Sequence, residues 1–235
     1  MRLPDRSAKL VKNAVILCLA GCYYAAAELG RNLASTPQDI TPVWPPDGLA
    51  TAAVFLLGYW VYPGIWLGSF WANIWAFLDN SSPFALMISI LKASSIGIGT
   101  TLGALLGVFL LRRAIQSANP LDRPRTLFFF VLFTGCVGPL MNATTGIVTL
   151  AVAKDIAWAE FGNAWLTWWV SNVTGILIVA PLLLSWVPLL KRHYVQARRN
   201  IQAQGNIQAQ GNIQAQGNFQ AQGNFQARRN FRVQR

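Results

Sequence analysis

Six apolar runs divide the first 190 residues, at about 11–33, 45–62, 63–78, 84–111, 126–151 and 164–188. A helix needs roughly 20 apolar residues to cross the hydrocarbon core of a bilayer. The pattern therefore predicts an all-α, polytopic transmembrane helix bundle of about six crossings. The second and third runs are short and separated only by Tyr62-Pro63-Gly64, which predicts a helical hairpin with its turn at the membrane surface. The fourth run exceeds the length that a crossing requires. Gly97, Gly99, Gly103 and Gly107 line it with small residues, which predicts tilt or close helix packing.

The polar segments between the runs are not equivalent. Arg2, Arg6, Lys9 and Lys12 precede the first run, Arg112, Arg113, Arg123 and Arg125 follow the fourth, and Lys191, Arg192, Arg198 and Arg199 follow the sixth. The alternate loops are poorer: Arg31 with Asp39 and Asp47, then Asp79, then Lys154 with Asp155 and Glu160. Positive residues accumulate on the cytoplasmic side, so both termini are expected there, in a multi-pass protein of the cell (inner) membrane. Only 11% of residues are charged and mean hydropathy is +0.38, which argues against a soluble domain. The net charge of +11 would suggest nucleic acid on a soluble chain. Removing the eight basic residues of 191–235 leaves +3 for the first 190. The excess thus reads as orientation plus a basic tail, with no nucleic-acid partner and with the lipid bilayer as the first partner.

Two domains are expected: residues 1–190 as the membrane bundle and 191–235 as a tail. From Tyr194 onward seven six-residue units of the NIQAQG kind run to the C-terminus. Their second and sixth positions loosely match β-helical hexapeptide repeats, but the units hold too little apolar surface to bury a core. The expected tail is Gln/Asn-rich, cationic and disordered, a translated nucleotide repeat or a segment resting on anionic lipid. At the other end Leu19-Ala20-Gly21-Cys22 has the form of a lipoprotein cleavage box. The apolar run continues beyond it, which favours an intact first crossing over a lipidated Cys22.

Few residues offer chemistry. His193 is the single histidine, and Cys18, Cys22 and Cys136 sit in apolar runs without His or carboxylates at ligand spacing. No metal site, cofactor or catalytic residue is expected, and no enzyme activity. Polar side chains within crossings are costly and default to a functional or packing role. Glu28, Asn73, Lys92, Asn142 and Asn172 all fall roughly 7–14 Å below the outer surface at 1.5 Å per residue. They form a candidate ligand pocket in the outer half, with Glu28 and Lys92 as its expected charge pair; interhelical hydrogen bonding is the plainer alternative. Trp44-Pro45-Pro46-Asp47-Gly48 reads as a helix start, with Pro in the first turn and Asp at the positive end of the helix. The tryptophans read mostly as an interfacial belt.

Between Tyr23 and about Leu190 the chain resembles the first type of bacterial membrane-associated sensor domain. The motifs are Val43-Trp44-Pro45-Pro46 with Gly48, then Pro63-Gly64 with Gly68 and Asn73, and Trp168-Trp169 leading through Gly175-Ile176-Leu177 to Ala180-Pro181. The resemblance implies an integral-membrane sensory module for signal transduction, usually fused to histidine kinase or diguanylate cyclase domains. Three departures accompany it. Ser171-Asn172 stands where the family commonly has Gly-Asp, six crossings replace about eight, and no output-domain motif is present in the 235 residues. A separate kinase or cyclase is therefore the expected partner, with a second copy of the chain as a further candidate. Two other readings stay open: a small-solute transporter or substrate-capture subunit, with Pro139 beside Asn142 marking a broken helix, and a non-functional fragment of a longer sensor.

Overall fold

The structure, a computed structural model, describes residues 5–32, 41–115 and 120–186. All secondary structure in the described residues is helical. Helix α1 is Asp5–Asn32, α2 Pro45–Leu57, α3 Tyr62–Phe77 and α4 Pro83–Ala114. Helix α5, Pro124–Phe130, passes through a π-helical stretch, Val131–Val137, into α6, Gly138–Val152. Helix α7 covers 161–186 after a single 3₁₀ turn at Trp158–Glu160. Each apolar run thus becomes a helical stretch, with the largest shifts at the start of α1 and the end of α2. Four of these stretches are long and apolar enough to cross a membrane: Lys9–Asn32, Pro83–Ala114, Pro124–Val152 and Trp158–Trp186. At 13 and 16 residues, α2 and α3 are roughly 20 and 24 Å long.

The break between α2 and α3 lies earlier than Pro63 suggested. Gly58 ends α2 at φ +100°, a backbone region that favours glycine. A 3₁₀ turn, Tyr59–Val61, follows, and Pro63 and Gly64 sit inside the first turn of α3. Proline has no N–H to leave unbonded there, so it starts the helix instead of ending one. Helix α3 packs on α1 and α4, and α2 packs on both of these and on α7.

Small residues allow the close crossings. A methyl group on Gly103 would stand 2.6 Å from the Gly138 carbonyl oxygen, and one on Gly107 would stand 3.0 Å from that of Phe133. Helix α4 therefore lies backbone to backbone on the α5–α6 segment, the small-residue packing expected of its glycine stripe. The π stretch ends just before Pro139. A proline there removes one N–H and its ring crowds the carbonyl four residues back. The chain widens into π geometry and continues, so the segment is distorted, not broken. Trp169 Nε1 donates to the Cys136 carbonyl at 3.0 Å and ties α7 to this stretch.

Charge is sided along the bundle. Lys12 lies over the Trp60 ring, and Arg112 lies over Phe55 and Tyr59 while donating to the Phe55 carbonyl at 2.7 Å. These groups gather where α1 begins and α2 and α4 end. At the opposite end two ion pairs form, Glu28 with Arg31 and Lys92 with Asp155. Large apolar side chains remain exposed on the long helices, among them Leu17, Phe84, Ile98, Val152 and Ile178, as suits helices facing lipid.

Candidate functional site

The most polar point of the interior is built from three helices. Tyr23, one turn before Ala27 on the buried face of α1, is fully enclosed. Asp47 is in the first turn of α2, whose first two residues are Pro45 and Pro46, and is 5% exposed. Asn142 follows Pro139 by one turn on α6 and is 2% exposed. Tyr23 Oη donates to Asp47 Oδ1 at 3.3 Å, and Asn142 Nδ2 donates to Asp47 Oδ2 at 2.8 Å. One carboxyl group thereby fastens α1, α2 and α6 together. A cavity of about 10 Å³ adjoins it, bordered by Asp47, Thr51, Thr100, Asn142 and Ile176. That volume matches a single water-sized body.

The segment leading into α2 is held against α7. Trp44 N–H donates to the Ser171 carbonyl at 3.0 Å, and Ser171 Oγ donates to the Thr41 carbonyl at 2.6 Å. A methyl group on Gly175 would collide with the Trp44 carbonyl, and one on Gly48 would stand 2.5 Å from the Gly175 carbonyl oxygen. Only residues without Cβ fit this crossing. The same holds where α3 meets α1: methyl groups on Gly64 and Gly68 would stand 2.7 Å from the Ile16 carbonyl oxygen and 2.6 Å from Tyr23 Cβ. The Trp-Pro-Pro and glycine motifs thus place Asp47 and Tyr23. Pro181, the remaining motif proline, lies within α7.

The five residues expected to share one pocket do not share one. Asn142 reaches the centre. Asn73 donates to the Ser69 carbonyl at 2.8 Å and to Ser69 Oγ at 3.3 Å, one turn back on its own helix. Glu28 pairs with Arg31 at 2.6 Å, and Arg31 also donates to the Ala72 carbonyl at 3.0 Å. Lys92 pairs with Asp155 at 2.8 Å and lies over the Phe77 ring. The expected Glu28–Lys92 pair is therefore absent, because each charge has a partner near its own helix end. Asn172 is 1% exposed, and its Nδ2 has no hydrogen-bond partner among the described residues.

Sequence reasoning missed Tyr23 and treated Asp47 as a helix-start residue. Asp47 does lie in the first turn of α2, but its carboxyl faces the bundle interior. The available signal was an acid set between two prolines and a short apolar helix, with no base nearby in sequence. His193 and the repeat units lie outside the described residues. Among the described residues no group of three His, Cys, Asp or Glu is placed to hold a metal.

A family model for the membrane-associated sensor domain MASE1 matches residues 15–207, most of the chain. The chain belongs to the MASE1 family. No curated protein and no solved structure matches it. Membership accords with the apolar helices and gives a membrane sensory module in signalling as the broad role. Within this MASE1 chain the motif residues Trp44, Gly48 and Gly175 hold the segment that carries Asp47, and Gly68 packs on Tyr23.

Proposed function

We propose that the protein senses a stimulus through the bundle and relays it to a separate output protein, a histidine kinase or diguanylate cyclase, without catalysis of its own. MASE1 membership carries the reading. Supporting it, the motif residues Trp44, Gly48 and Gly175 join α2 to α7, while Asp47 joins α2 to α1 and α6. A shift of α2 would thus be felt by α7, the helix that leads toward Lys191-Arg192. Such a relay requires two arrangements with different affinity for the stimulus. The cavity beside Asp47, at about 10 Å³, is far below the roughly 300–1,000 Å³ of a small-molecule site, so this point of the bundle is not a solute-capture pocket.

The proposed topology is an inner-membrane bundle with six crossings and both termini cytoplasmic, α2 and α3 serving as short crossings. The sided charge supports this. Single cysteines at Asp79 and Asp155 should react with an impermeant thiol reagent from outside, and those at Arg113 and Arg123 only after lysis; the reverse pattern would contradict the topology. The signalling role is tested by co-expressing the full chain with histidine kinases and diguanylate cyclases of its source organism. Output that depends on the chain, with no solute uptake by proteoliposomes, is the expected result. Solute uptake without any effect on output would favour transport.

A further inference from the structure

The polar centre contains an acid, Asp47, whose hydrogen-bond partners among the described residues are Tyr23 and Asn142, neither of them a base. Both Asp47 oxygens accept hydrogen bonds from neutral donors. Asn142 borders the same cavity, and its Oδ1 is buried with no partner among the described residues. A carboxyl group and an unbonded amide oxygen enclosed together are costly in an apolar interior. The side chains that supply lone pairs around this cavity do so through oxygen: Asp47, Asn142, Thr51 and Thr100. Oxygen donors suit hard cations, whereas zinc and its neighbours favour nitrogen and sulfur. One carboxylate balances one positive charge, and about 10 Å³ admits one small body.

We propose that this cavity binds a single Na⁺ ion, with the Asp47 carboxylate supplying the charge and Asn142 Oδ1 and the Thr51 and Thr100 hydroxyls serving as neutral donors. The ion answers both needs at once: it neutralises the acid and occupies the open acceptor of Asn142. The site stands whether or not the chain signals, because it follows from the buried oxygens alone.

The test is equilibrium binding of radioactive sodium to the full chain in lipid nanodiscs, at constant ionic strength maintained with N-methyl-D-glucamine chloride. One saturable Na⁺ per chain is expected at neutral and alkaline pH. Asp47→Asn should weaken it about thirtyfold or more, as when one partner of a buried charge pair is removed. Thr51→Val, which keeps the side-chain volume, should weaken it about tenfold. Absence of saturable binding to the unsubstituted protein at either pH, the behaviour of a carboxyl group that keeps its proton, would overturn the proposal. Equal displacement by N-methyl-D-glucamine, or affinity unchanged in both variants, would do the same. The measurement on the unsubstituted chain decides the matter even where Asp47→Asn fails to fold.

Discussion

Asn142 Nδ2 donates to Asp47 Oδ2 at 2.8 Å across 95 residues of sequence, joining the first turn of α2 to the turn that follows Pro139 in α6. Both side chains are buried away from bulk water, so the loss of this bond leaves a polar group enclosed without it.

Breaking that bond from either side should cost more than removing both partners implies. Asn142→Leu leaves Asp47 with Tyr23 alone and should destabilise by about 1–3 kcal/mol. In the double variant with Asp47→Asn the total should fall short of the sum by about 1 kcal/mol, a coupling at the upper end for membrane helices. Unfolding of the full chain in detergent micelles measures both quantities, and strict additivity would show that the two residues do not interact.

Glycine substitutions should sort by what stands beside them. Gly175→Ala meets the Trp44 carbonyl and Gly103→Ala meets that of Gly138. Backbone cannot yield as a flexible side chain can, so each should destabilise by about 1–3 kcal/mol. Gly21→Ala has open space around it within α1 and should be neutral or stabilise by roughly 0.5–1 kcal/mol through helix propensity. Thermal unfolding midpoints of the three variants make the comparison.

The charge pairs at the end opposite Lys12 and Arg112 predict a particular pattern of coupling. Lys92→Met and Asp155→Asn should be non-additive by roughly 0.2–1 kcal/mol, as for partly exposed ion pairs, and the coupling should shrink with added salt. Glu28→Gln and Lys92→Met should be additive, since Glu28 has Arg31 as its partner. A double-mutant cycle that coupled Glu28 to Lys92 would contradict the arrangement of the helix ends.

Much of the fold is legible in the sequence because a membrane helix announces itself by length. Six apolar runs give six helical stretches, and the glycine stripe of α4 marks a close crossing, since only small residues let two backbones approach. The α2–α3 break was harder to place. Pro63 is a breaker inside a helix but a starter in the first turn, and only the position of Gly58 decides between the two. The candidate site was legible at one residue, Asn142. Depth along a helix can be counted from the sequence, but direction around the axis and the choice of partner cannot. Glu28 and Lys92 lie at similar depth, yet Arg31 and Asp155 lie nearer to them. Asp47 was hidden because an acid in a first helical turn is ordinary. Its burial depends on α1 and α6, which lie far from it in sequence. An all-oxygen ion site leaves no motif of the kind that histidine or cysteine spacing provides.

On the proposed function, the buried contact of Asp47 with Asn142 organises the membrane sensory module. The decisive measurement is the activity of a kinase or cyclase whose output depends on the chain, co-expressed with the unsubstituted protein, with Asp47→Ala or with Asp79→Ala, at matched protein levels in the membrane. Asp79 is exposed between α3 and α4, so its variant should behave as the unsubstituted chain. Asp47→Ala should shift the basal output severalfold or abolish its dependence on the chain. Identical output from all three, at equal levels of folded protein, would contradict the claim.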